Sequence, residues 1–225
     1  MRRLLLVVLA SLVLAGTALA LAGAALADPL DPKVRYNAAD QARANAALLK
    51  QSDLGTAWAN HSTPTPSSLK APICPSLRPN YSKLTVTGHA ESVFENGNGG
   101  IQVVSDVEVW KTAKQAEQHL NALLKPALPK CIQYSFLKSP GGSKLVLLPV
   151  TVRKLGQFAD VSVSYRAPIG YKIGKQTVPV ISDFIFLRKG RTEIYINVTG
   201  PASAEDQLTA FETRIAKTLA ARIRS

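Results

Sequence analysis

Cys74 and Cys131 are the two cysteines of the chain, and three chemistries are open to such a pair. A catalytic thiol needs a neighbouring base and an electropositive setting, and the sequence around Pro72, Cys74 and Pro75 supplies neither. A zinc centre needs four ligands at suitable spacing. There is no C-x-x-C here, and His61, His89 and His119 stand apart from one another. No metal and no cofactor are therefore expected. A disulfide remains, which an oxidising compartment permits. Closing a loop of this length contributes about 4 kcal/mol in the chain-entropy model.

Among the acids, Asp106 and Glu108 alternate onto one face of an extended segment, where they could act as a general acid and base. A glycosidase-like pair must flank a cleft at a defined separation, and the sequence indicates no cleft. These two acids are therefore expected on the wet face of a strand, and the three histidines at the surface. Ser67 and Lys70 spell S-x-x-K, but without the S-D-N and K-T-G companions. There is no G-x-S-x-G, P-loop, G-x-G-x-x-G opening a helix, or H-E-x-x-H. The glycine-rich ENGNGG joins two strands, which makes it a turn and not an anion cradle at a helix start. An enzyme is not indicated. That reading would gain if the fold brought a histidine within reach of Asp106, Glu108 or a serine in a cleft.

The N-terminus bears on compartment. Arg2 and Arg3 precede an apolar run from Leu4 to Ala27 that ends in Ala25-Leu26-Ala27, the basic, apolar and small-residue parts of a secretory signal. Residues 1–27 are expected to be a signal peptide cleaved before Asp28; an uncleaved anchor is the alternative, since the run is about long enough to cross a bilayer. The protein is thus expected in the cell envelope or outside it. Residues 28–225 then form a single domain.

The 27 Lys and Arg outnumber 15 Asp and Glu, for a formal charge of +12. Basic residues gather at Arg153-Lys154, at RKGR (188–191) and in the last helix, with no arginine-rich arm and no alternation with aromatics. That pattern argues against nucleic acid. It suits a polyanionic envelope surface, an anionic lipid headgroup or simple solubility. Trp58 and Trp110, read first as core residues, and the basic Arg188, Lys189 and Arg191 are the candidate contacts for a small ligand or an envelope partner. Contact with a membrane is expected only through the signal or anchor segment.

The elements that must position these residues follow from periodicity. Residues 38–50 read as a helix capped by Asn37, with Ala39, Ala42, Ala46 and Leu49 on its apolar face. Residues 60–82 form a Pro-rich loop. KLTVTGHAESVFE (83–95) and GIQVVSDVEVW (100–110) flank the NGNGG turn as a hairpin. Thr112 and Gln115 make a capping-box pattern before a second helix that ends at Pro126. Strands follow at 144–152, 156–166, 176–188 and 192–200; short turns between them imply an antiparallel meander. A final helix carries the stripe Leu208, Phe211, Ile215 and Leu219. The fold class is α+β: an antiparallel sheet of about six strands packed with two to three helices, plus the N-terminal signal helix.

The segments LLKQSDLGTAW, the Pro-rich run with Cys74, TVTGHAESVF and the helix running into Cys131 resemble uncharacterised exported bacterial proteins. In layout these are related to the extracytoplasmic sensor domains of actinobacterial serine/threonine kinases and to PsbP-like envelope lipoproteins. The resemblance implies a binding or sensing module without catalytic residues. This chain has no kinase domain and no lipobox cysteine.

Overall fold

The computed structural model describes residues 29–61, 74–97, 100–139 and 142–223. The signal segment 1–27, residues 62–73 of the Pro-rich run, and Asn98 and Gly99 of the turn lie outside the described residues. In chain order the elements are β1 (Lys33–Val34), α1 (Ala38–Ala47), α2 (Gln51–Leu54), β2 (Trp58–Asn60), β3 (Thr85–Asn96), β4 (Ile101–Trp110), α3 (Ala113–Leu123), α4 (Leu128–Lys138), β5 (Leu145–Leu147), β6 (Thr151–Arg153), β7 (Val161–Ile173), β8 (Gln176–Lys189), β9 (Thr192–Pro201) and α5 (Glu205–Arg222).

The α+β class holds, on a larger sheet than expected. Among the described residues nine strands form one sheet in the order β1-β3-β4-β9-β8-β7-β5, with β2 on β3 and β6 on β7. The β3–β4 hairpin and the β7–β8–β9 meander are antiparallel, and β1 adds a short parallel pairing. Hairpin and meander are joined by β4 against β9. This long-range seam positions the candidate functional site.

Alternating side chains on each strand face two layers of helix. On one face Phe94, Val103, Val107, Ile185, Ile194 and Ile196 pack with Ala44 and Ala47 of α1 and Leu208, Ile215 and Leu219 of α5. On the other, Tyr165 and Phe186 pack with Leu120 of α3 and Leu128 and Ile132 of α4. The result is three layers, helices on both sides of the sheet.

Several boundaries differ from the sequence reading, each for a physical reason. The first helix stops at Ala47 because Leu48 turns extended and the chain restarts at Lys50, whose N–H donates to Asp53 Oδ2 at 2.8 Å. Its buried face is Asp40, Ala44 and Ala47, while Ala39, Ala42 and Ala46 are exposed; Asp40 is drawn inward by Arg191 Nη2 at 2.5 Å. The sequence reading ends its second helix at Pro126, and helix α4 follows it as a separate element, with Pro129 in the first turn where no N–H is needed. The segment 144–152 splits into β5 and β6 around Pro149, at the sheet edge. The next strand runs over 161–173, so APIGYKI is strand and the turn falls at Gly174, where φ is +59°. Pro179 lies in the part of β8 that extends beyond β9 and pairs with β7 alone.

Cys74 and Cys131 form the disulfide, with Cα atoms 5.4 Å apart across a separation of 57 residues. It ties the end of the Pro-rich run to α4. Among the described residues no helix is long and apolar enough to cross a membrane.

Candidate functional site

Register decides which polar side chains meet on the α3 face of the seam. His89 of β3 stands opposite Glu108 of β4, and Glu108 opposite Glu193 of β9. One row along, Glu91 pairs with Asp106 and Asp106 with Tyr195. Helix α3 lies over this face and brings His119 down on it. His119 Nδ1 is 2.6 Å from Glu193 Oε2, and His89 Nε2 is 3.2 Å from Asp106 Oδ1. Side-chain exposures are 16% and 9% for the first pair and 11% and 19% for the second, so these groups are largely withdrawn from water.

Local structure holds both histidines in place. The Thr112 hydroxyl accepts from the Gln115 N–H at 3.1 Å and starts α3. Gln115 does not reach back to complete the box; its Oε1 accepts from the Thr85 N–H at 3.0 Å and docks α3 on β3. The rings of Tyr81 and Trp110 flank His119, with centroids 4.6 and 4.4 Å away. His89 follows an irregularity between Val86 and Gly88. There α1 comes so close that a Cβ on Gly88 would collide with the Asp40 backbone, and the Gln41 side chain bonds to both the N–H and the carbonyl of His89.

The electrostatics follow from burying four carboxylates with two imidazoles. The hydrogen bond to Asp106 raises the pKa of His89 against the effect of its burial. For His119 burial is the largest influence and opposes charging, but Glu193 and then Glu108 override it and the pKa is raised. Burial, reinforced by Asp106 and Glu193, pushes Glu108 up to about 7, although His119 pulls the other way. Burial and then Asp106 raise Glu91. The Tyr81 and Tyr195 phenols are pushed up by burial and then by these acids. Two carboxylate oxygens in the cluster, Glu91 Oε2 and Glu193 Oε1, are buried without a hydrogen-bond partner.

Sequence reasoning placed Asp106 and Glu108 on one strand face correctly but expected that face to be wet, and expected the histidines to be isolated at the surface. Both expectations are corrected for this cluster, because α3 covers the seam; His61 alone stays exposed, 3.6 Å from Glu95. The hairpin register, counted back from the NGNGG turn, could have placed His89 opposite Glu108. Nothing local pointed to Glu193.

The five candidate contacts scatter. Trp110 is fully buried beside His119, and Arg188 stands opposite Glu193 on β8, 3.9 Å from Asp160. Trp58 stacks on Phe211 at 5.1 Å in the α5 layer. Lys189 is in the last pair of the β8–β9 hairpin. Arg191 is committed to Asp40 and to the Trp110 carbonyl.

Two other features compete for attention. On the α5 face Arg166 forks onto Asp183 at 2.9 and 2.6 Å, and Arg153 bridges Asp183 and Glu212, each at 2.7 Å. A groove of about 420 Å³ opens between β5, β7, β8 and the start of α5, lined by Val146, Leu148, Pro168, Ile169 and Val180. Its charged residues, Arg166 and Glu205, are bonded to each other, which leaves its recognition surface apolar.

No protein-family model matches the chain, and no curated protein matches it in sequence. Among solved structures, an uncharacterised protein from Mycobacterium smegmatis, the Rv0999 ortholog, is similar with a TM-score of 0.42 and 13% identity, over 83% of this chain and 98% of that one. The Ran-binding protein Mog1p of Saccharomyces cerevisiae is similar with a TM-score of 0.23 and 14% identity, over 59% of this chain and 75% of that one. Likenesses this loose carry no argument about function.

Proposed function

We propose that the protein is a non-enzymatic, sensor-like binding module that works outside the cytoplasm and takes its ligand on the histidine–carboxylate face beneath α3. One observation carries this reading: four carboxylates and two histidines converge in a chain whose formal charge is +12, and two of their oxygens are buried without a partner. A buried polar atom left unsatisfied costs roughly 1–3 kcal/mol, and a ligand that donates to it or coordinates it removes that cost. The cluster therefore selects a cationic or donor-rich ligand. The basic exterior keeps the module near anionic envelope polymers or lipid headgroups. The disulfide and the signal-like residues 1–27 support work in an oxidising compartment.

The cluster lacks the parts of a nucleophilic enzyme. Ser105 is buried on the opposite face, in register with core residue Ile196, and the Ser92 hydroxyl is committed to the Leu49 carbonyl at 3.0 Å. A second reading is favoured by Glu108 at about 7 beside His119, a pairing suited to acid–base work. Native and denaturing mass spectra of the protein recovered from its own exported fraction separate the two. A mass retained natively, lost on denaturation and absent from a Glu108→Gln, Glu193→Gln variant, is the expected result. A protein that retains nothing yet turns over a glycoside or ester, with a bell-shaped pH profile centred near 7, would falsify the binding reading.

A further inference from the structure

We infer that Glu108, His119 and Glu193 hold a divalent transition-metal ion of the zinc class. The inference rests on the binding reading above and names its ligand. Each of the three side chains places one ligand atom within 4.8 Å of the other two. Zinc takes imidazole nitrogen and carboxylate oxygen at about 2.0–2.2 Å, so a small rotation of the side chains brings all three donors onto one ion. They come from three different elements: β4 and α3 follow each other across Lys111 and Thr112, whereas β9 begins at Thr192, far along the chain, and meets them only through the fold.

Two further features point to an ion at this place. Glu193 is 9% exposed at its side chain, its Oε2 engages His119, and its Oε1 is buried without a partner on the face it shares with Glu108. Glu108 and Glu193 are also directly opposite each other in the ladder, where like charges repel. A dication between them turns that repulsion into coordination. Arg188, next in the row, borders the site without filling it, being 3.9 Å from Asp160 with its Nε unpartnered.

The donor set chooses the class of metal. One imidazole and two carboxylates without a thiolate disfavour copper(I), and the nitrogen donor disfavours calcium and magnesium, which prefer all-oxygen shells. His89, Glu91 and Asp106 form a second triad of the same composition one row away. It lacks a member buried as deeply as Glu193, and so ranks behind the first.

The test uses the purified protein stripped with a chelator, dialysed, and titrated with zinc chloride in a calorimeter. Cobalt(II) is the spectroscopic probe. The expected result is one equivalent bound saturably at micromolar metal, a raised thermal midpoint, and a cobalt band in the visible. Glu193→Gln and His119→Gln should each weaken binding beyond the roughly 10- to 100-fold cost of losing an outer-shell partner, while His61→Gln, at an exposed site, changes nothing. Circular dichroism verifies that each variant folds, and Glu108→Gln stands in for any that does not. Binding that survives the Glu193 and His119 variants, or no saturable binding below millimolar metal, overturns the inference. In the native mass spectrum, a retained organic molecule without metal overturns the metal and leaves the binding module intact; no retained mass of either kind overturns both.

Discussion

On the α5 face of the sheet Asp183 and Glu212 meet two arginines; on the α3 face Glu108 and Glu193 meet each other and one histidine. Both clusters are buried, and both bring together residues far apart in sequence, yet they differ in closure. Guanidinium groups deliver several fixed donors each, so Asp183 is saturated by Arg166 and Arg153. Burial, and then the Asp183 carboxylate beside it, push Glu212 up to about 8, so it holds a proton at neutral pH, and Asp183 with Glu205 balances the two arginines. Imidazoles offer fewer donors, so the α3 cluster sets four carboxylates against two histidines and leaves Glu91 Oε2 and Glu193 Oε1 unpartnered, where the α5 cluster leaves Glu212 Oε1 alone so. The first arrangement is the nearer to saturation. The second can still accept something.

The largest effect should come from breaking the closed cluster. Asp183→Ala leaves Arg153 and Arg166 without their shared partner and should cost about 3–5 kcal/mol, measured by urea unfolding. Asp106→Ala in the open cluster should cost less than about 1 kcal/mol, because it relieves as much repulsion between carboxylates as it removes attraction to His89. Equal losses for the two substitutions would end the comparison.

Next in size is the disulfide, which anchors α4 beside the α3 layer. Cys74→Ser with Cys131→Ser should cost about 2–5 kcal/mol by the same assay. If α4 serves to hold the α3 layer closed, hydrogen exchange should quicken in α3 and α4 more than in α5.

The pH dependence sharpens the contrast further. Glu212 and Glu108 are raised from 4.5 to about 8 and about 7, so between 4.5 and those values the folded protein binds more protons than the unfolded chain. Stability therefore falls as pH rises through that window. His89 and His119 are also raised, above 6.5; their contribution is full below 6.5 and is lost as pH climbs through the folded values. Asp40 and Asp53 run the other way, because side-chain hydrogen bonds, from Asn37, Thr87 and Arg191 to the first and from Arg222 to the second, lower them against burial. Their contribution is lost only as pH drops below about 3.8 through the folded values. The metal-free protein should melt highest near pH 5 and some degrees lower at pH 8.5, and Glu212→Gln should flatten the slope. A melting temperature that rises from pH 5 to 8.5 contradicts this.

The smallest effect is expected at His61, exposed and paired only loosely with Glu95. His61→Ala should change stability by less than about 0.5 kcal/mol and serves as the baseline for the buried histidines.

Much of the scaffold was legible in the sequence. Alternation in GIQVVSDVEVW, the antiparallel pairing of β3 with β4, Asn37 and Thr112 as caps and the Cys74–Cys131 bridge are local or compositional signals, and each is present. The site was legible only in fragments. Asp106 and Glu108 sharing a face follows from the two-residue period of a strand, but whether that face is wet depends on what covers it, and α3 does so, held by the Thr85 N–H donating to Gln115 Oε1, by His119 on Glu193 and by Ala116 and Leu120 in the core. Trp58 and Arg191 drew notice by residue type, yet packing spends them on Phe211 and Asp40.

By itself, then, the sequence determined the class of fold, the turns, the caps and the staple, because each of these depends on neighbours within a few residues or on the count of cysteines. Only the tertiary structure decided that β4 pairs with β9 and that α3 closes over them. That seam sets Glu193 against Glu108 and lays His119, 74 residues earlier in the chain, upon it. No local preference encodes such a meeting. It follows from burying the apolar sides of hairpin and meander against one shared layer of α1 and α5, which leaves their polar sides to meet beneath α3.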